Sequence, residues 1–195
     1  MPPTSTGCAR ARLDADETPA ASGGNSLRSP LLIRHARADD LPAIVAIYNA
    51  SIPGRMATAD VEPVTVAARE PWFREFDAER RPLWVATAAP EAPIDGWLGL
   101  RSFYGRPAYR ATVEVAVYVD PDKQRRGIAM MLLAHALAAA PALQIRTLLG
   151  FIFAHNEPSL ALFERAGFGV WGRLPRVAEI DGTERDLAIL GRRVE

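Results

Sequence analysis

The sequence predicts an α/β protein built on a mixed central sheet with helices on both faces. Three observations carry that expectation. Thr112–Val119 is a β-branched run ending at Asp120-Pro121, which reads as a strand. Ile128–Ala140 is an apolar helical run that Pro141 stops. Thr147–Phe153 is a continuous apolar run of the kind found in strands buried on both faces. Strand, helix and strand in that order, within a longer alternation of both types, favour a sheet covered by helices.

The remaining elements follow in order. Leu31–His35 reads as the first strand, and Asp39 or Asp40 can cap a helix reaching about Ala50. Leu41, Ile44, Val45 and Tyr48 recur there at helical spacing. Thr65 to about Arg80 reads as a second helix, interrupted or restarted near Pro71. Leu83–Thr87 and Gly96–Phe103 read as strands joined by the turn-rich segment Pro90–Pro93. Asn156 can cap a helix with Pro158 in its first turn and Gly167 at its end. Phe168–Trp171 reads as a strand. Val177–Ile180 and Leu187–Gly191 would pair through Asp181-Gly182, a strong hairpin signal.

Composition bounds the function. The chain has 195 residues, 49% of them apolar, enough for one domain with a real core. Lys and Arg total 23, Asp and Glu total 23, and the formal charge is zero, which argues against a general nucleic-acid binder. Lys123 is the only lysine, a bias toward Arg that reads as a coding habit. Cys8 is the only cysteine, so neither an internal disulfide nor a Cys-rich zinc site is expected, and no metal site is predicted. No run approaches a membrane span, so no membrane association is expected. Residues 1–30 are rich in Pro, Ala, Ser, Thr and Gly, and lack the apolar core of a secretory signal. They read as a disordered N-terminal extension without chemistry, and 31–195 as the folded domain. The expected location is cytoplasmic.

Two features carry chemistry. Gln124-Arg125-Arg126-Gly127-Ile128-Ala129 joins the central strand to a helix. The first amides of a helix lack internal partners and its dipole adds positive charge, so this loop can form an anion site. It reads equally well as an ordinary connection with solvated arginines. Glu114 is a carboxylate within an apolar strand, and alternation sets Glu114, Ala116 and Tyr118 on one face and Val113, Val115, Val117 and Val119 on the other. Burial would raise its pKa toward that of a general base. A solvent-facing Glu on a half-exposed sheet satisfies the same pattern.

These residues resemble a known family. Val117-Tyr118-Val119 followed by Arg125-Arg126-Gly127-Ile128-Ala129 is similar to the acetyl-CoA pyrophosphate loop of the GNAT acyltransferases. Ala154 through Phe168, ending in Gly167-Phe168, is similar to that superfamily's late helix. The phosphinothricin and methionine sulfoximine acetyltransferase branch is closer still. It is matched by Ala46-Ile47-Tyr48-Asn49, Ala57-Thr58, Trp72-Phe73, Ala108-Tyr109-Arg110 through Glu114, Gly172 through Val177, and Asp186. The ordered match runs from about Leu31 to about Arg193.

The resemblance implies a GNAT fold and an N-acetyltransferase that moves acetyl from acetyl-CoA to a small amino-acid-like amine by direct transfer. It also implies roles. The backbone of Val117, Tyr118 and Val119 would bind the pantetheine arm like an added strand. Arg125, Arg126, Gly127, Ile128, Ala129 and Met130 would cradle the pyrophosphate. Asn156 would contact the cofactor near the thioester end, and Glu114 would be the general base. A backbone amide of the central strand would stabilise the oxyanion. Arg101, Arg106 and Arg110 flank the expected acceptor site, and one of them would pair with a substrate carboxylate, Arg110 being favoured. Arg106, Tyr109 and Arg110 are thus the expected acceptor residues. A homodimer is implied, in which Val170–Arg193 would complete a site beside the partner subunit. Tyr48, Tyr118 and His135 read as structural, though either Tyr could serve as a general acid, and His155 reads as a solvated loop histidine within reach of an active site. The chain departs from the branch at Ala116, where Ser is usual, at Phe163, where His is usual, and at Ile180 and Glu184, near which Lys and Trp are common. The alternatives are an acetyltransferase for another amine or a protein N-terminus, and a non-catalytic acyl-CoA-binding module.

Overall fold

A computed structural model describes residues 31–194. The N-terminal extension expected over residues 1–30 lies outside the described residues. Seven strands form one sheet in the order β1-β2-β3-β4-β5-β7-β6. They are β1 Leu32–His35, β2 Leu83–Thr87, β3 Ile94–Ser102, β4 Thr112–Val119, β5 Thr147–Phe153, β6 Gly169–Ile180 and β7 Thr183–Arg193. The helices are α1 Leu41–Ser51, α2 Val66–Phe73, α3 Ile128–Ala139 and α4 Glu157–Arg165. Neighbouring strands run antiparallel except β4 and β5, which are parallel. The sheet is mixed because α3 is a crossover between those two strands.

The alternation along β4 sorts the core. Val113 and Val115 are buried with Leu132 and Leu133 of α3 and Phe163 of α4. Ala116 and Tyr118 face the opposite way, packing against the cluster of Ile44, Ile47, Val85 and Trp97 that α1 and α2 cover. Helices therefore cover both faces.

Local chemistry explains the boundaries. Asn156 caps α4, its Oδ1 accepting from the Ser159 amide at 3.2 Å. Asp181 and Gly182 take φ of 50° and 73°, two left-handed residues as a type I′ hairpin requires. Asp40 stands at the N-terminus of α1 but makes no side-chain cap. Its carboxylate instead holds Arg34 in a forked pair at 2.6 and 2.9 Å. The forked pair brings its pKa below the usual carboxylate value, against the upward push of burial.

Two sequence expectations are corrected. The second helix ends at Phe73 rather than near Arg80, because Asp77 closes a turn with Arg81, its amide and carbonyl both bonded there. Phe168–Trp171 and Val177–Ile180 are not separate strands. They belong to one strand, β6, interrupted by irregularities at Val170/Gly172 and Leu174/Ala178. The second irregularity hides the continuity in sequence, since Pro175 breaks the alternation there. Asp186 of β7 holds that kink, accepting from the Arg176 amide at 2.8 Å and Arg173 Nε at 3.0 Å. Those bonds lower the Asp186 pKa, the Arg176 amide most of all.

Candidate active site

The site lies where β4 and β5 part. Their pairing covers only Thr112↔Thr147, Val113↔Leu148 and Glu114↔Leu149. Beyond Glu114 the side of β4 that would face β5 is open. The amides of Arg146 and Thr147 donate to the Ala111 carbonyl, so odd-numbered residues direct their backbone groups toward β5. The Asp120 amide donates to Asp95, so even-numbered residues direct theirs toward β3. The polar backbone of Val117 and Val119 therefore points into the opening. It offers the unpaired edge that an extended amide-bearing chain can join.

Two cavities meet on β4. The larger, about 440 Å³, is floored by Glu114 through Tyr118 and walled by Phe151–Phe153, Phe163 and Asn156. The smaller, about 180 Å³, is lined by Tyr48, Trp72, Phe76 and Trp97, with Arg69 and Arg101 at its edge. Glu114, Ala116 and Tyr118 line both. Glu114 is half-buried, and among the described residues no ion pair engages its carboxylate.

A strap of residues 55–59 borders the larger cavity. Successive carbonyls of this strap are held by three residues, two at the start of α4 and one on β4. His155 Nε2 contacts the Arg55 carbonyl at 3.1 Å. Asn156 Nδ2 donates to Met56 at 2.9 Å. The Tyr118 hydroxyl donates to Ala57 at 2.9 Å. Thr58 then meets the Tyr48 hydroxyl, which also donates to Asp60. Burial pushes the Tyr48 phenol above its ordinary value, helped by the bond to Asp60, and burial pushes Tyr118 up as well. Both stay neutral at physiological pH, and both serve to fasten the strap.

The anion loop lies at the far end of β4. Gly127 takes φ of 84° and starts α3 with no side-chain cap. The Met131 amide closes the first turn onto the Gly127 carbonyl, leaving the amides of Ile128, Ala129 and Met130 without helical partners. A Cβ on Gly127 would meet nothing within 4 Å, so the space above it is open to a ligand. Arg125 and Arg126 are exposed beside it, while the Ile128 side chain is buried. No acidic residue stands in the first turn to oppose an anion. Val119 and Glu114 are about 17 Å apart at ~3.3 Å per residue, so an extended arm along β4 joins the loop to the carboxylate.

The structure separates the other expected residues. Arg106, Tyr109 and Arg110 are exposed around the short turn Pro107–Tyr109 and line neither cavity. Tyr109 reaches the larger cavity only through ring contacts, with Phe103 at 5.5 Å and from there Phe151 at 6.3 Å. The Arg110 carbonyl accepts from Arg81 at 2.6 Å. Arg69, which sequence reasoning passed over, lies above the Tyr48 ring at 4.4 Å and pairs with Asp60 at 2.8 Å. A half-polar helix gave no signal for it. Asn156 is buried with its side chain engaged at both ends. Phe163, where the resemblance leads one to expect His, is a core residue, its ring against Gly150, where any Cβ would clash, and 4.9 Å from Phe168. His135 packs edge-on to Trp84 at 4.8 Å, and burial, aided by His35, lowers its pKa.

Comparison with known proteins agrees with this geometry. The family profile described as Acetyltransferase (GNAT) family matches residues 43–168. The Bacillus subtilis (strain 168) protein YwnH, a proposed phosphinothricin acetyltransferase, is 49% identical over 83% of this chain and 98% of its own length. The L-methionine sulfoximine/L-methionine sulfone acetyltransferase of Pseudomonas aeruginosa is 31% identical over 81% of this chain and 91% of its own. The crystal structure of a Sinorhizobium meliloti phosphinothricin acetyltransferase in complex with acetyl-CoA superposes with a TM-score of 0.78 at 27% identity. It covers 84% of this chain and 88% of that one.

Proposed function

Because this chain belongs to the acetyltransferase (GNAT) family, as an N-acetyltransferase whose acetyl donor is acetyl-CoA, we propose that it acetylates the amino group of a small amino acid by direct transfer across the junction of its two cavities. The observation that carries this is the sharing of Glu114, Ala116 and Tyr118 by both cavities. A donor lying along β4 and an acceptor in the smaller cavity would meet at Glu114.

The donor fits what the residues offer. The pyrophosphate would rest on the amides of Ile128, Ala129 and Met130, above Gly127 and beside Arg125 and Arg126. The pantetheine arm would pair with the free backbone edge of Val117 and Val119, passing Tyr118. Asn156 would act near the thioester by holding the strap over it.

Glu114 would take a proton from the acceptor ammonium. The freed amine would then attack the thioester carbonyl to form the C–N bond, and the C–S bond would break, the departing coenzyme A thiolate taking up the second proton that the nitrogen loses. The amide and the free thiol would then leave, and Glu114 would return its proton to water. A backbone amide of β4 would stabilise the oxyanion. Much of the acceleration comes from holding both reactants in line.

The acceptor we propose is methionine sulfone, methionine sulfoximine or a related amino acid, with phosphinothricin a poorer one. The relatives' activities and the small aromatic cavity support this. We place the protein in the cytoplasm as a homodimer. Val170, Trp171, Leu174 and Val177 are exposed on β6, an edge strand, which supports a partner there. The acetyltransferase domain is taken as 31–195. Thiol release with a panel of amines, products identified by mass, tests the function; absence of any acetylated amino acid would reject it.

A further inference from the structure

The smaller cavity holds an anion and a cation side by side. Arg101 of β3 is the direct antiparallel partner of Glu114 of β4. Opposite residues in such a pair place their Cβ atoms about 4.5–5.5 Å apart on one face. Both line the cavity, together with Trp97 and Gly99 from β3 and Ala116 and Tyr118 from β4. Yet the two do not neutralise one another. Arg101 reaches Glu75 instead, at 3.1 Å, with both side chains about half exposed. An exposed pair of that kind contributes little and exchanges readily.

An α-amino acid carries its ammonium and carboxylate on one carbon. Whatever holds them must present an anion and a cation as close neighbours. We propose that the cross-strand pair Glu114 and Arg101 is that clamp: Glu114 receives the ammonium, and Arg101 exchanges Glu75 for the acceptor carboxylate. The acceptor side chain then runs toward Trp72, Phe76 and Trp97, which form the aromatic end of the cavity. This rests on the proposed function and adds to it the residue that selects the substrate class.

Arg69 is the other cation in the cavity and is differently committed. It lies against Tyr48 and Trp72, at 4.4 and 5.5 Å from their ring centres, and it pairs with Asp60, which Tyr48 also bonds. Drawing it away would disrupt a connected network under the strap. Arg106 and Arg110 lie outside the cavity. Arg101 is therefore the cation that is both beside Glu114 and weakly held.

The test compares methionine sulfone, its methyl ester, and the amine left when its carboxylate is removed. Initial rates are measured with saturating acetyl-CoA for the wild type, Arg101→Met and Arg69→Met. Wild type should prefer the free acid. Arg101→Met should raise the Michaelis constant for the free acid about ten- to a hundredfold, the loss expected for a charged hydrogen-bonded pair, with turnover changed far less. Its constants for the ester and the amine should barely move, so the preference collapses. An unchanged acid-to-ester ratio in Arg101→Met overturns the clamp, as does collapse of the ratio in Arg69→Met alone. A wild type that acetylates none of the three, nor any other amino acid, overturns the parent function, a result distinct from either.

Discussion

The side-chain amide of Asn156 donates to the Met56 carbonyl at 2.9 Å, while its Oδ1 accepts from the Ser159 amide at 3.2 Å. One residue thus caps α4 and fastens the strap over the larger cavity. Asn156→Asp keeps an oxygen for the cap but has no donor for Met56. Asn156→Ala lacks both and should cost about 1 kcal/mol more in stability through the lost cap. Hydrogen exchange should accelerate at residues 56–59 in both variants, while the melting temperature falls mainly in the Ala variant. Unchanged strap exchange in Asn156→Asp would show that His155, Tyr118 and Tyr48 hold the strap without Asn156.

Phe163 stands where the resemblance leads one to expect His. Its ring is buried on Gly150 and beside Phe168, with no polar neighbour required of it. Phe163→His should therefore destabilise the fold by about 1–3 kcal/mol, the cost of burying an unpaired polar group. It should not increase turnover. A denaturant titration and a rate measurement decide this, and a large gain in turnover would show that the proton path needs the imidazole.

The raised phenol of Tyr118 gives a pH dependence. Its folded-state pKa lies above the ordinary 10.0 because burial disfavours the phenolate. The stabilisation is full below that ordinary value and is lost as pH rises beyond it, where the unfolded chain ionises first. Wild-type stability should fall more steeply than that of Tyr118→Phe above pH 10, while the pH profile of turnover near neutrality should match in the two. Parallel alkaline stability curves would count against the buried phenol.

Gly127 marks the far end of the donor site. Gly127→Val forces a branched side chain into φ of 84° and fills the open space above the first amides of α3. Acetyl-CoA affinity measured by calorimetry should drop at least tenfold, about 1.4 kcal/mol, in protein that still melts cooperatively. Equal affinity in a folded variant would remove the loop from the donor site.

Much of this was legible because local rules and function coincide. The alternation in Thr112–Val119 sorted Glu114 from its valine neighbours, and those valines are indeed in the core. Asp181-Gly182 specified its turn, and Asn156 with Pro158 specified the start of α4. What stayed hidden depends on distant pairing. No local pattern of these residues says that β4 and β5 part after Glu114, or that β7 inserts between β5 and β6; only the family resemblance pointed to an open edge at Val117–Val119. The strap is invisible because its partners, His155, Asn156 and Tyr118, lie about 60 to 100 positions away. Arg106 and Arg110 were close to Glu114 in sequence, but the turn at Pro107 carries them outside both cavities.

The most direct test is the turnover of Glu114→Gln with acetyl-CoA and methionine sulfone, read by thiol release. Gln has nearly the same shape but cannot accept the ammonium proton. Turnover should fall on the order of a hundredfold, within the range for a general base. Acetyl-CoA affinity should be retained. Turnover equal to wild type would contradict the central claim and remove Glu114 from the reaction.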